Sequence, residues 1–459
     1  MPNSSAYDIV VLGGGSGGYA CAFRAAELGK RIALIEKDKI GGTCLHRGCI
    51  PTKALLHAAE IADQARDGGK FGVKVQFEGV DMPGVHDYKD RVVTRLWKGL
   101  QGLARSHGID VVAGEGRLIS PTQVQVGDAV YEGAHVVLAT GSQAKSLPGL
   151  ELDGERVITS DEALVLDRVP RSVVILGGGV IGVEFASVWR SFGAEVTIVE
   201  MLPHLVPTED EASSKLLERA FRRRRISYEL GARFESVKNT GNGVTVSLEG
   251  GRTLEAEILL VAVGRGPVSA GLGYEAAGVE LERGFVKTDS LCRTSVPSIS
   301  AIGDLIQTPQ LAHVGFGEGI MVAERLGGLN PVPIDYDGVP RVTYSDPEVA
   351  SVGITSATAS ERGIETEEFT YDLAGNGRSQ ILQTQGAAKI IATAGGGPVL
   401  GVHLVGGRVG ELIAEGQLIY NWEAVPADVA QLIHPHPTQS EALGEAHLAL
   451  AGKPLHVHA

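Results

Sequence analysis

The sequence predicts an α/β fold with two Rossmann-like dinucleotide-binding domains and a C-terminal α+β segment. Three observations predict it. Near the N-terminus a β-branched run leads into a glycine-rich turn and an Ala-rich stretch. The same pattern returns near residue 173. From about residue 338 the chain changes to alternating apolar residues separated by glycine turns.

The 459 residues exceed what one core organises, so several domains are expected. Glycine stands at 62, about twice its usual share of roughly 7%. No collagen period explains that excess, which points to many close backbone approaches. A net charge of −14 argues against nucleic-acid binding. The one basic run, Arg222 to Arg225, ends a predicted helix and is expected to be a solvated face. Residues 1–6 lack the basic and apolar regions of a leader, and no run of about 18 apolar residues suggests a membrane span. Four cysteines do not make a secreted scaffold, so a reducing, cytoplasmic setting is expected, where a disulfide would be catalytic.

Asp8 to Leu12 reads as a buried parallel strand. Gly13, Gly15 and Gly18 follow in the G-x-G-x-x-G pattern, then a helix over Tyr19 to Leu28 capped by Gly29, then a strand from Ile32 that ends at Glu36. Gly13 allows the tight turn, Gly15 admits a pyrophosphate to the backbone, and Gly18 lets helix pack on strand. The helix N-terminus offers free N–H groups to phosphate. Glu36 lies where an acid accepts ribose hydroxyls.

Gly41-Gly42-Thr43-Cys44 and Gly48-Cys49-Ile50-Pro51-Thr52-Lys53 come next. On an ideal helix residues five apart lie roughly 8–9 Å from each other. A disulfide wants Cα atoms within about 4.4–6.8 Å. Either the helix is distorted here or the cysteines do not pair. Gly48 and Pro51 supply the means to distort it. Two free buried thiols and a metal pair remain as alternatives, though no second Cys/His pair stands at ligand spacing. Lys53 reads locally as either a site residue or a solvated lysine. Cys21 and Cys292 are expected to be inert.

The second copy begins at Val173. Its glycines are Gly177, Gly179 and Gly182, and Glu200 ends the following strand. The interval from Gly13 to Glu36 equals that from Gly177 to Glu200. Two copies imply two dinucleotides.

The segment Gly-Gly-Thr-Cys, four residues, Cys-Ile-Pro-Thr-Lys resembles the active-site segment of the flavin disulfide reductases, and within them the dihydrolipoamide-oxidising branch. The similarity runs over essentially the whole chain. The resemblance implies FAD and NAD as cofactors and a Cys44–Cys49 redox disulfide, with Cys44 towards substrate and Cys49 towards flavin. It implies FAD contacts at Thr43, Gly116, Thr140, Gly141, Asp304 and Ala312. Gly116 is expected at the end of a strand. The resemblance pairs Lys53 with Glu184 beside the flavin, where the local sequence equally allows a helix-surface acid at 184. Gly264-Arg265 matches the Val-Gly-Arg pattern that closes the NAD domain. Glu200 would repel the 2′-phosphate of NADP by up to about 4 kcal/mol at an effective dielectric near 20, which favours NAD.

Residues 1–148 and 275–337 would then form the FAD domain, 149–274 the NAD domain and 338–459 the homodimer interface. His434 and His436 lie on a Pro-rich loop that reads locally as structural. The match to His-Pro-Thr-x-Ser-Glu makes His436 the expected catalytic base, oriented by Glu441, and assigns His434 no role. The partners implied are lipoyl domains on the acyltransferase core of 2-oxoacid dehydrogenase complexes, or the lipoyl protein of glycine cleavage. Mercuric and large thioredoxin reductases are disfavoured by the lack of a C-terminal cysteine, and glutathione reductase by Glu200.

Overall fold

The computed structural model describes residues 7–457. The stretch 1–6, read above for a leader, lies outside the described residues, as do residues 458 and 459. Two compact units are present. One contains the chain up to Ala54, with Pro83–Lys145 and Gly264–Tyr336. The other contains Leu55–Met82, Ser146–Val263 and the chain from Asp337.

The first unit is built on a seven-stranded sheet. Its parallel part comprises Asp110–Ala113, Ile32–Glu36, Tyr7–Leu12, Ala129–Leu138 and Ile299–Ala301. Ile9 to Leu12 are at most 3% exposed, as expected for a strand covered on both faces. Gly116 begins the strand Gly116–Ser120 instead of ending one. The preceding strand stops at Ala113, because Gly114 turns the chain at φ 145°. Helix Ser16–Glu27 follows the glycine turn and packs on helix Ala312–Leu326. Glycines make that contact close: a Cβ at Gly319 would stand 2.4 Å from the Gly17 carbonyl oxygen.

The second unit repeats the nucleotide-binding module. Strands Ile226–Leu230, Glu195–Glu200, Ser172–Leu176, Ile258–Val261 and Val157–Ile158 lie side by side, all parallel. Helix Val180–Phe192 follows the second glycine turn. The correspondence extends to atoms. A Cβ at Gly13 would stand 2.2 Å from the Ala139 oxygen, and one at Gly177 would stand 2.3 Å from the Ala262 oxygen. A Cβ at Gly18 or Gly182 would clash in the same way with the oxygen of Gly13 or Gly177.

The expected α+β segment is present in the same unit. Its sheet is antiparallel, in the order Arg341–Thr343, Glu348–Gly353, Val399–Gly406, Ala387–Thr393 and Thr366–Asp372. Helices Val409–Asn421 and Glu441–Leu450 pack on it. Among the described residues no helix is long and apolar enough to cross a membrane.

The basic run departs from expectation at one position. Arg222, Arg223 and Arg225 are exposed, but Arg224 is turned inward. Its guanidinium donates to Asp63 Oδ2 (3.1 Å), Ser191 Oγ (2.7 Å) and the Asp346 carbonyl (2.8 Å). The helix ends at Arg223, Arg224 is its C-cap residue, and the chain turns at Arg225 with φ 60°, so the run does not continue one helical face.

A buried ion pair joins the nucleotide module to the antiparallel sheet. Asp210 is 2% exposed and caps helix Glu211–Arg223. It accepts from Lys389 Nζ at 3.0 Å and from the backbone N–H of Ser356 at 3.1 Å. Burial pushes the Asp210 carboxyl up, but the field of His403, the Lys389 hydrogen bond and the Ser356 N–H outweigh it and hold it at about 2. This lies below the unfolded value of about 3.9, so the pair stabilises fully above about pH 4 and fades towards pH 2. Removing the cation would strand a buried carboxylate at a cost of about 3–5 kcal/mol. Lys389→Met therefore lowers the melting temperature by several degrees at pH 7, and the gap from wild type narrows as pH falls below about 4; thermal denaturation across that range checks it.

Candidate active site

The cysteine segment starts on the first glycine turn. The Gly41 N–H donates to the Gly14 carbonyl at 2.8 Å. A Cβ at Gly42, whose φ is 58°, would stand 2.6 Å from Gly15 Cα. No residue with a side chain could begin a helix this close to the turn. Helix Gly42–Arg47 carries Thr43 and Cys44, and breaks at Gly48 with φ −144° and ψ −112°. A second helix restarts as Cys49–Asp67. The two cysteines thus sit on two helices, and the ideal-helix separation does not apply. Pro51 lies in the first turn, where its missing N–H costs nothing. Thr52 Oγ1 donates to the Gly48 carbonyl at 2.7 Å and secures the break.

Cys44 and Cys49 are free thiols joined by a side-chain hydrogen bond. That bond is the largest cause raising the Cys44 thiol, burial is the next, and the positive charge of Lys53 opposes both. The two sulfurs of the expected disulfide are thus brought into contact. Tyr19, on helix Ser16–Glu27, lies in the field of the pair: burial pushes its phenol up to about 12, with the charges of Cys44 and Cys49 adding to it. Cys21 and Cys292 are buried apart from this pair, and burial raises both thiols.

Both glycine turns fit a dinucleotide. Gly15 and Gly179 are the N-cap residues of their helices, with no side chain capping either one. A Cβ at either glycine would meet nothing within 4 Å. Each helix therefore presents bare N–H groups and its positive end to open space, as a pyrophosphate requires. The two acids close their turns alike. Glu36 accepts from the N–H groups of Gly14 (2.7 Å) and Asp38 (2.8 Å). Glu200 accepts from Gly178 (2.6 Å) and Leu202 (2.8 Å). Each carboxylate oxygen keeps a lone pair for a ribose hydroxyl.

The remaining predicted FAD residues of the first unit adjoin the same sheet. A Cβ at Gly116 would stand 2.5 Å from Leu12 Cδ1. Thr140 spends its hydroxyl on the Val268 carbonyl, at 2.6 Å, so any cofactor contact from it falls to backbone. Gly141 then turns at φ 70°, and Ser142 Oγ donates to Asp304 Oδ2 at 2.5 Å. Arg265 Nε donates to the same hydroxyl at 2.8 Å, and Gly264 accepts from the Lys145 N–H at 3.0 Å. Fully buried Glu318 accepts from the Gly303 N–H at 2.6 Å and holds the turn before Asp304. Ala312 opens its helix with no side-chain cap.

Gly177, Gly179, Gly182, Glu184, Glu200, His436 and Glu441 fall in the second unit, so Lys53 and Glu184 lie in different units. Glu184 is no surface acid. It is 2% exposed and accepts from the Tyr344 N–H at 2.9 Å.

His436 is held by its Nδ1, 2.8 Å from Glu441 Oε1, while the ring is 79% exposed. With Nδ1 bound to a carboxylate, Nε2 carries the lone pair and faces outward. Glu441 is the first residue of helix Glu441–Leu450, and its other oxygen accepts from the Thr438 N–H at 2.8 Å. Burial raises this carboxyl, but the Thr438 N–H and His436 outweigh it and hold it below its ordinary range. His434, to which the sequence assigned nothing, has Nε2 2.7 Å from Glu415 Oε1.

Sequence reasoning passed over Tyr19, Glu318, Glu415 and the bonding of Ser142. The one local signal was the tyrosine directly after Gly17-Gly18, at the start of a helix already assigned to the site.

The family described as pyridine nucleotide-disulphide oxidoreductase matches residues 7–319, and the dimerisation domain of that family matches residues 339–447. The chain is 40% identical to a dihydrolipoyl dehydrogenase of Bacillus subtilis (strain 168), across 98% of this chain and 99% of that protein. Two solved structures are similar at 28% identity. One is LpdA from Mycobacterium tuberculosis, with TM-score 0.90 over 96% of this chain and 99% of that one. The other is the Cu(II) complex of the HOCl-induced flavoprotein disulfide reductase RclA from Escherichia coli, with TM-score 0.88 over 97% and 100%. The paired thiols, the two bare helix ends and these matches agree: the chain belongs to the pyridine nucleotide-disulphide oxidoreductase family, with FAD and NAD as its cofactors and a dimerisation domain at its C-terminal end.

Proposed function

We propose that the protein is a dihydrolipoyl dehydrogenase, which oxidises protein-bound dihydrolipoamide and reduces NAD⁺. The observation that carries the reading is the Cys44–Cys49 pair, brought into hydrogen-bond contact by the break at Gly48. The choice of dithiol substrate rests on the 40% identity to a protein of that name.

In the forward direction Cys44 and Cys49 start as a disulfide. His436, from the second copy in a homodimer, takes a proton from one substrate thiol at Nε2. A thiol with a pKa of about 8.5 is mostly protonated at neutral pH, and only the thiolate attacks. Glu441 stabilises the imidazolium that forms. The thiolate attacks Cys44 and displaces Cys49, giving a mixed disulfide. The second substrate sulfur then attacks its own neighbouring sulfur, its proton passing to the departing Cys44. Lipoamide leaves, Cys44 departs as a thiol and Cys49 stays a thiolate, so two electrons now reside on the cysteine pair. FAD, held at the first glycine turn, would supply the two-electron relay from the dithiol to NAD⁺. Cys49, Lys53 and Glu184 are the residues proposed for the flavin side, and Tyr19 on the nucleotide helix lies in the field of the dithiol. The nucleotide turns hold the cofactors, with Gly13, Gly15, Gly18 and Glu36 for FAD, and Gly177, Gly179, Gly182 and Glu200 for NAD. Thr43, Gly116, Thr140, Gly141 and the braced Asp304 complete the flavin side with Ala312, and Gly264 closes the NAD side. Residues 1–148 and 275–337 serve FAD, 149–274 serve NAD, and 338–459 form the interface. The partners are the lipoyl domains of a 2-oxoacid dehydrogenase complex with its acyltransferase core, or of glycine cleavage, in the cytoplasm.

NAD⁺ reduction is assayed with dihydrolipoamide and, separately, with reduced glutathione; turnover with glutathione alone overturns the assignment. Cys44→Ser abolishes dihydrolipoamide turnover and keeps the visible flavin absorption, and any retained turnover removes Cys44 from interchange. NAD⁺ is preferred over NADP⁺ in kcat/KM by two to three decades, corresponding to about 3–4 kcal/mol of repulsion at Glu200. Equal kinetics for the two would exclude that role for Glu200.

A further inference from the structure

His436 is 79% exposed, and its own hydrogen bond is to a residue five positions later. One such contact leaves the approach to the loop unrestrained. The restraint lies two residues earlier. The His434 side chain is 11% exposed, and its Nε2 lies 2.7 Å from Oε1 of Glu415 on helix Val409–Asn421. The other edge of the ring rests on helix Glu441–Leu450. A Cβ at Gly444 would stand 2.7 Å from His434 Nδ1 and 3.0 Å from its Cε1. Position 444 must therefore lack a side chain while His434 is in place. Gly444 follows Glu441 by three residues, so the helix face that receives His434 also presents the carboxylate that holds His436.

Pro435 and Pro437 flank His436 and fix φ on either side of it. Beyond them the loop is tied by Asn376 Nδ2 to the Thr438 carbonyl (2.9 Å) and by Gln439 Nε2 to the Gly407 carbonyl (2.9 Å). His434 supplies the matching tie on the incoming side.

We propose that His434, bonded to Glu415 and seated on Gly444, is a positioning residue that holds the His436 loop in register with Glu441 for proton transfer to and from the substrate dithiol. This rests on the reading of His436 as the base. The charged and titratable groups around the His434 ring are Glu415 from one helix and Glu441 and His447 from the other. The hydrogen bond to Glu415 keeps the His434 proton on above its ordinary range, against burial. The protonated ring makes the tie a charge-assisted hydrogen bond.

The test compares two reactions of the FAD-loaded enzyme. Dihydrolipoamide oxidation by NAD⁺ needs the base. Reduction of ferricyanide by NADH draws electrons from the flavin with no substrate thiol to deprotonate. In His434→Ala, kcat with dihydrolipoamide falls about 10–100-fold, the scale of a base displaced by about 1 Å. KM for NAD⁺ and the ferricyanide rate stay within about twofold of wild type, since the tie does not touch the nucleotide sites. His434→Gln, whose amide can still donate to Glu415, recovers part of the loss. Gly444→Ala, which displaces the ring from the other helix, reproduces the split. Equal loss in both reactions, or a wild-type rate in His434→Ala and Gly444→Ala, overturns the proposal. His436→Gln serves as the control: if it keeps dihydrolipoamide turnover, the reading of the base fails. If it loses turnover while the His434 and Gly444 variants keep theirs, only the positioning role fails.

Discussion

Everything near the dithiol depends on one close approach, that of the cysteine helix to the first glycine turn. Gly14 is bound at both of its backbone groups. Its N–H donates to Glu36 and its carbonyl accepts from Gly41. The acid at the end of one strand, the nucleotide turn and the start of the redox helix are thus strung together by two hydrogen bonds. The turn must stay bare on one side so that a phosphate can reach it. Its bareness on the other side lets Gly42 stand against Gly15. From there the geometry follows in sequence. The short helix carries Cys44 a fixed distance from the turn, Gly48 breaks it, and Cys49 starts the next helix within reach.

The second glycine turn shows what the module does without that helix. Gly178 donates to Glu200 as Gly14 does to Glu36, but its carbonyl accepts from Val206 at 2.8 Å. A Cβ at Gly178 would stand 2.6 Å from Leu205 Cδ2. Leu205 and Val206 are at most 1% exposed. An apolar plug therefore occupies the place that the cysteine segment holds in the first copy. The nucleotide side of the turn is the same in both.

Much of this was legible in the sequence. The two modules were readable because each is a continuous stretch whose glycines, helix and acid stand at set intervals. The break between Cys44 and Cys49 was readable because five residues of ideal helix separate sulfur atoms too far, and a glycine stood between them. His436 and Glu441 were named only through family resemblance, since a Pro-rich loop has no period to interpret. What stayed hidden depends on distant partners. Nothing local marks Gly42 for Gly15, and nothing marks Glu318 for the Gly303 turn. His434 and Glu415 are 19 residues apart across an intervening turn. Arg224 was hidden within a run of like residues, where composition suggested solvent and the end of the helix turned one of the four inward.

The turn's two-sidedness has a consequence for how such a chain diverges. Its N–H face is left open for a phosphate, and its carbonyl face accepts whatever segment follows the acid. The two faces share atoms of the same glycine yet place no demand on each other's tenant. A duplicated module can keep its nucleotide while exchanging a reactive segment for an inert one, by changes confined to a few residues past the acid. In this chain the two copies differ on that face, one taking the cysteine segment and the other an apolar plug.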